Sequence, residues 1–214
     1  MKHSTLVTAL VLLLLTPSEG YAQVFYQYPG AATVEPSRVV AGPYLALGDG
    51  DLVRLGGYTR IGLAPYWDLG VEGVLDNANG DWRIGAGGDA KLRLLPANRA
   101  LPFDLSFNAG FGFVSGGDVT IRQVPIGAII SIPLKREGGQ LIMPYLGVYA
   151  VIVDTDIERS PLPDISDTDV DPAIRGGLAI ELTGQLDFFG TFQLGPENQP
   201  DGGDLISLGL HFRL

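Results

Sequence analysis

No cysteine occurs among the 214 residues. That excludes disulfides, thiolate-ligated metal sites and lipid attachment through an N-terminal cysteine. Long apolar runs are missing too, except for Leu6 to Leu15, and that stretch is half the roughly 20 residues a membrane helix needs. Any crossing of a bilayer therefore has to be made by a closed barrel of strands. Basic residues are scarce, 14 against 24 acidic, for a net charge of −10. Such a surface disfavours nucleic acid, whose phosphates need Lys and Arg.

The short basic start Met1-Lys2-His3, the apolar run behind it and the small-x-small sequence Gly20-Tyr21-Ala22 predict a cleaved export signal over residues 1 to 22. Removing it leaves a length suited to one domain. Residues 23 to 37, rich in tyrosine and carrying Pro29 and Pro36, show no alternation and read as a tail or a lumen insert. Residues 38 to 214 form the remaining unit.

What the chain has in plenty is glycine, 30 residues, about twice the usual share of roughly 7%. The glycines lie inside segments of period-2 alternation, the signature of a two-faced sheet. The clearest are Val53-Leu55-Gly57-Thr59-Ile61-Leu63, Trp82-Ile84-Ala86-Gly88-Ala90-Leu92 and Phe103-Leu105-Phe107-Ala109-Phe111-Phe113. Ten strands are predicted, at 38–48, 51–64, 66–76, 82–95, 103–115, 118–134, 140–153, 173–184, 186–195 and 204–214. The alternation slips at Gln123-Val124-Pro125, which predicts a bulge, because proline cannot donate a ladder bond. Splitting or merging there would give eight or twelve strands. Pro43 weakens the first strand.

The last segment, Ile206 to Leu214, alternates without a break. It resembles the closing strand of the small bacterial outer-membrane β-barrel family, which seals the barrel and is read by the insertion machinery, usually through a terminal Phe. Here the aromatic is Phe212 and the final residue is Leu214. The resemblance implies an all-β, closed, antiparallel up-and-down transmembrane barrel with Leu208, Leu210, Phe212 and Leu214 as an insertion signal. It also implies outer-membrane lipid and the barrel-assembly machinery as partners. Connector lengths agree, since such barrels have short periplasmic turns and longer outer loops. Asp154 to Pro172 and Pro196 to Gly203 are the long ones. Tyr66, Trp67, Trp82, Phe103, Phe113 and Phe212 fall near strand ends, as interfacial girdles do.

The polar face decides which side meets lipid. Out of phase with the apolar stripes stand seven basic residues, Arg54, Arg60, Arg83, Lys91, Arg93, Arg175 and Arg213. Six acidic ones oppose them: Asp68, Glu72, Asp89, Asp104, Glu181 and Asp187. Glycines between them leave room in a narrow lumen. The expectation is polar inside, apolar outside, with an interior network of paired charges. Ten strands lie well below the roughly 16 that open a water-filled channel, so little or no conductance is expected.

The remaining acidity concentrates at 154–171. Its weak candidate for Ca²⁺ is Asp164, Asp167, Asp169 and Asp171, which lack the glycine turn and twelfth-position Glu of an EF-hand; a solvated acidic loop is the simpler reading. No other metal and no cofactor is expected. Once the leader is gone, His211 is the remaining histidine, on the polar face three residues from the end. A histidine there offers no general base at the outer rim, so no enzymatic activity is expected. A structural or surface-interaction role ranks first, with an unidentified extracellular partner. A narrow channel or transporter for small or hydrophobic solutes ranks second, and a soluble periplasmic ligand-binding barrel third.

Overall fold

The computed structural model describes residues 29–48, 51–78, 80–135, 139–157, 165–195 and 204–214. The predicted export signal over residues 1 to 22 and residues 23 to 28 lie outside these. The described chain is eleven strands, β1 Val39–Gly48, β2 Leu52–Ala64, β3 Trp67–Ala78, β4 Asp81–Leu95, β5 Asp104–Gly116, β6 Val119–Ser131, β7 Leu134–Lys135, β8 Leu141–Ile157, β9 Ile165–Thr183, β10 Leu186–Leu194 and β11 Leu205–Arg213. Neighbours in sequence pair antiparallel, except β6 and β7. The ring closes where β1 meets β11, from Val40↔Arg213 to Gly48↔Leu205, and where β6 meets β8. Ten strands form the closed wall, and β7 is a two-residue continuation of β6 that pairs with the start of β8.

Alternation sets the two faces. Along β2, Leu52, Arg54, Gly56, Tyr58, Arg60 and Gly62 are buried, while Val53, Leu55, Gly57, Thr59, Ile61 and Leu63 are exposed. The outer wall carries exposed Leu45, Leu55, Val71, Ile84, Leu146 and Leu208, among many others, whereas Arg54, Asp68, Lys91 and Asp171 are fully or nearly fully buried. This inverts the arrangement of a soluble protein, in which charged groups are almost never buried and contiguous apolar surface is small. Tyr66, Trp67, Trp82, Phe113 and Phe212 are exposed at or near strand ends.

Two expectations are corrected. The Asp154 to Pro172 segment is mostly not a loop: β8 runs on to Ile157 and β9 starts at Ile165, pairing Ile157↔Ile165 through Ile152↔Val170. These two strands, 17 and 19 residues long, exceed the roughly 9 to 11 that cross a bilayer, so a hairpin projects from one end of the barrel. The bulge at Pro125 is absent as well. The register is the same on either side, with Ala109↔Ile126 and Gly112↔Gln123, and β6 pairs with β8 without interruption. The strand keeps its phase because Pro125 faces inward with Gln123 and Gly127, and only local ladder pairs to β5 are lost.

Pro43 has the same modest effect on β1. The β1–β11 ladder skips Gly42 and Pro43 but resumes in register at Tyr44↔Gly209. The Leu210 carbonyl leans toward Gly42 so closely that a Cβ there would overlap it. It accepts a long hydrogen bond from the Tyr58 hydroxyl, 3.4 Å. Glycine is required at position 42 for this close approach.

Candidate functional site: the barrel interior and its two mouths

The hairpin end of the lumen is lined by apolar side chains. Ala46, Leu52, Ala78, Val114 and Leu205 come from one side, with Ile121, Val151 and Val153 opposite. Below them lie charges in pairs set by strand register. Arg54 faces Asp76 on the adjacent strand and donates from Nε to Oδ1 and from Nη2 to Oδ2, both at 2.7 Å. Arg60 donates from Nε to Asp68 Oδ1 at 2.8 Å and from Nη1 to Asp89 Oδ1 at 3.0 Å. Asn108 also donates to Asp89, and the Tyr44 hydroxyl donates to Glu72. Bidentate guanidinium–carboxylate geometry is the strongest way to hold ions out of water, and burial is tolerable here because the hydrogen bonds are made.

Residues 29 to 34 enter the other end of the lumen. The chain turns back before β1, with Pro36 bridged to Gly62, and a Cβ on Gly62 would overlap the carbonyl oxygens of Val34 and Glu35. Four hydrogen bonds among the described residues hold the segment, one of them from Thr33 Oγ1 to the Pro65 carbonyl at 3.2 Å. Val34 N donates to Asp68 Oδ2 at 2.8 Å, Ala31 N to Ser131 Oγ at 3.0 Å, and Lys91 Nζ to the Gly30 carbonyl at 2.8 Å. Of the two alternatives for the N-terminal segment, the lumen insert is the one adopted over these residues.

Beside the insert a cavity of about 700 Å³ opens at the terminal end, lined by Val34, Val40, Met143, Ala179, His211 and Asp187 among others. At its rim Arg213 Nη2 donates to both Asp187 oxygens at 2.8 Å and Nη1 to Glu181 at 3.4 Å. His211 is buried against Phe189 and Tyr58, with ring centroids 4.6 and 5.3 Å away. Its Nδ1 is 3.9 Å from Asp187. At the β4–β5 turn, Arg93 Nε donates to Asp104 Oδ1 at 2.9 Å, and Ala97 N to the same oxygen at 2.7 Å.

Four inward aromatics each lie over a glycine directly across the ladder. Tyr44 is opposite Gly56, Phe189 opposite Gly209, Tyr149 opposite Gly127 and Tyr145 opposite Gly177. In every case a Cβ on the glycine would collide with the ring. The rings thereby lie down along the wall and fill the lumen from both sides.

Of the charged positions read from the sequence, Arg54, Arg60, Asp68, Glu72, Asp89, Lys91, Asp104, Arg175 and Asp187 are buried inside. Arg83, Arg93 and Glu181 are half-buried and Arg213 is exposed at the rim. Asp76 and Asp171 join them, as do Gln123 and Gln193. Both carboxylates were legible by phase: Asp76 is eight residues beyond Asp68, and Asp171 four before Arg175. Leu208, Phe212 and Leu214 are exposed on the outer wall, and Leu210 is half-buried. Asp164 lies outside the described residues. Asp167, Asp169 and Asp171 are strung along one strand instead of curling into a coordination loop. Among the described residues no three His, Asp or Glu groups gather as a metal site would need.

No protein-family model matches the sequence, and no curated protein matches it. Solved structures similar to it are bacterial outer-membrane β-barrels. A bacterial polysaccharide outer membrane secretin aligns at 12% identity and a TM-score of 0.47, over 77% of this chain and 57% of that one. The chain therefore spans little more than half of that secretin's length. The β domain of the Bordetella autotransporter Brka aligns at 9% identity and 0.46, over 83% and 98% of the two chains. The N-terminal β-barrel domain of Pseudomonas aeruginosa OprF aligns at 12% and 0.43, over 84% and 98%.

Proposed function

We propose that this protein is an integral barrel of the bacterial outer membrane that does not conduct, and that it serves as a structural or surface-interaction element. The supporting observation is the inversion of polarity: an apolar outer wall around a lumen filled by ion pairs, flat-lying aromatics and residues 29 to 34. Lipid solvates that wall, and the barrel-assembly machinery inserts it after export. The terminal end faces the periplasm and the β8–β9 hairpin faces outward, where it meets a partner. The role proposed is non-enzymatic, with His211 buried in the lumen at the terminal end and not at the outer rim.

The deciding experiment has two readouts on the same material. The barrel should require detergent for extraction and migrate faster on gels unless boiled, whereas a soluble periplasmic barrel would be released by osmotic shock. Reconstituted in planar bilayers it should show no large, stable open state; such a state would overturn the sealed lumen. The cavity at the terminal end favours a second reading, a narrow route for small or hydrophobic solutes, and uptake of labelled solutes into proteoliposomes separates the two.

A further inference from the structure

β6 accompanies the β8–β9 hairpin to its end, with Val119 opposite Ile157, but on the other side β9 runs past β10. β9 pairs with β8 from Ile165 onward, but β10 joins its other side only from Ile174, opposite Leu194. Over Ile165 to Val170, no strand among the described residues pairs with that second edge. Within it Thr168 N donates to its neighbour Asp167 Oδ1 at 3.0 Å, a local bond that an incoming strand would replace; an extended edge whose N–H and C=O groups no strand takes up is a template for an added strand.

The side chains say which strand fits. Asp167 is exposed, Asp169 is half-buried, and both share the face that continues the lumen side of β9. On the opposite face Arg122 offsets Asp154 and Asp156, at 2.9 and 2.6 Å. Among the described residues no cation forms an ion pair with Asp167 or Asp169. A second copy pairing along this edge would set carboxylate against carboxylate, and like charges directly opposite are destabilising. A strand with Lys or Arg at every second position would set opposite charges there instead.

We propose that Ile165 to Val170 is a docking edge for an extended partner segment that alternates basic with uncharged residues and is bound by strand addition. This rests on the outward orientation of the hairpin argued above. It names the kind of partner that surface takes.

The test uses the full chain in detergent, first checked for a folded barrel by the heat-dependent gel shift, so that failure here and failure of the barrel reading are distinguishable. A fluorescent peptide alternating lysine with valine should bind. Methylating every second backbone nitrogen of that peptide should abolish binding, because strand addition needs those donors. In an Asp167→Lys/Asp169→Lys variant, affinity for the lysine peptide should fall about tenfold, and a glutamate–valine peptide should gain. Equal binding of the methylated peptide overturns the proposal, as does no binding. Exchange protection of the 165 to 170 amides on that edge in the protein alone, or only in a concentration-dependent dimer, also overturns it, since another segment or a second copy would then hold the edge.

Discussion

Arg60 and Asp89 are on strands that do not touch, yet their side chains meet. Arg60 on β2 is in register with Gly70 on β3, and Gly70 with Asp89 on β4. The ion pair arches over the glycine, at 3.0 Å from Nη1 to Oδ1. A Cβ on Gly70 would sit 2.5 Å from Asp89 Oδ1 and 2.9 Å from Arg60 Nη1. Gly70→Ala should therefore destabilise by about 1–3 kcal/mol, as overpacking does, read as a lower temperature for the gel-mobility transition. Asp89→Asn should cost about 3–5 kcal/mol by leaving the guanidinium half-paired. Because both changes act on one ion pair, their effects should be clearly less than additive.

Phe189 and Gly209 supply a second test of the same wall. Gly209→Ala drives a methyl into the Phe189 ring, which also lies against His211, with ring centroids 4.6 Å apart. A loss of about 1–3 kcal/mol is expected. Phe189→Leu should be destabilising alone and should relieve most of the Gly209→Ala penalty when the two are combined. Additive losses in that double-mutant cycle would show that the ring does not depend on the glycine.

The strands were legible because each wall residue chooses between lipid-side and lumen-side environments, which writes period 2 directly into the sequence. Val53 to Leu63 and Phe103 to Phe113 show it without a break. The hairpin extension was missed because a dense run of carboxylates normally marks a solvated loop, yet Asp167, Asp169 and Asp171 alternate with Thr168 and Val170 as a strand requires. Charged positions could be read by phase, but not their partners. Arg54 meets Asp76, and Arg60 reaches across a strand to Asp89, only because of a register fixed by turns and closure of the ring. Tyr149 was obscured for a related reason: on β8 both faces are apolar over Tyr145 to Val153, and the opposing Gly127 tells which face is which. The insert at residues 29 to 34 has no periodicity, since its backbone is held by side chains of the wall.

That insert can be tested with single cysteines, which are unambiguous in a chain that has none. Ala31→Cys and Val34→Cys, both at buried positions, should resist a membrane-impermeant maleimide in the folded barrel and react after boiling. Gly62→Val should expel the segment, because its side chain would occupy the space of the Val34 and Glu35 carbonyls. The same cysteines should then label quickly while the barrel still shows its gel shift. Slow labelling in the Gly62→Val background would mean that the wall contacts at Asp68, Lys91 and Ser131 hold the segment without the glycine.

The waterline on the hairpin side follows from outward-facing charge. Along the outer face of β8, Leu146, Val148, Ala150 and Ile152 are exposed, and the next two outward residues are Asp154 and Asp156, held by Arg122. On β9 the change comes between exposed Val170 and Thr168, whose Oγ1 donates to Asp154 at 3.2 Å. A carboxylate or guanidinium is tolerated on a lipid-facing wall only near or above the headgroups, so the apolar boundary should fall between Ile152 and Asp154. Val148→Arg, well inside the band, should cost about 2–4 kcal/mol, whereas Asp156→Arg should cost under about 1 kcal/mol beyond loss of its ion pair. An environment-sensitive fluorophore scanned on single cysteines from position 146 to 156 should report hydrocarbon at 148 and 150, and water at 156. Water-like emission at 148, or equal costs for the two arginine substitutions, would show that the outer wall is not solvated by lipid.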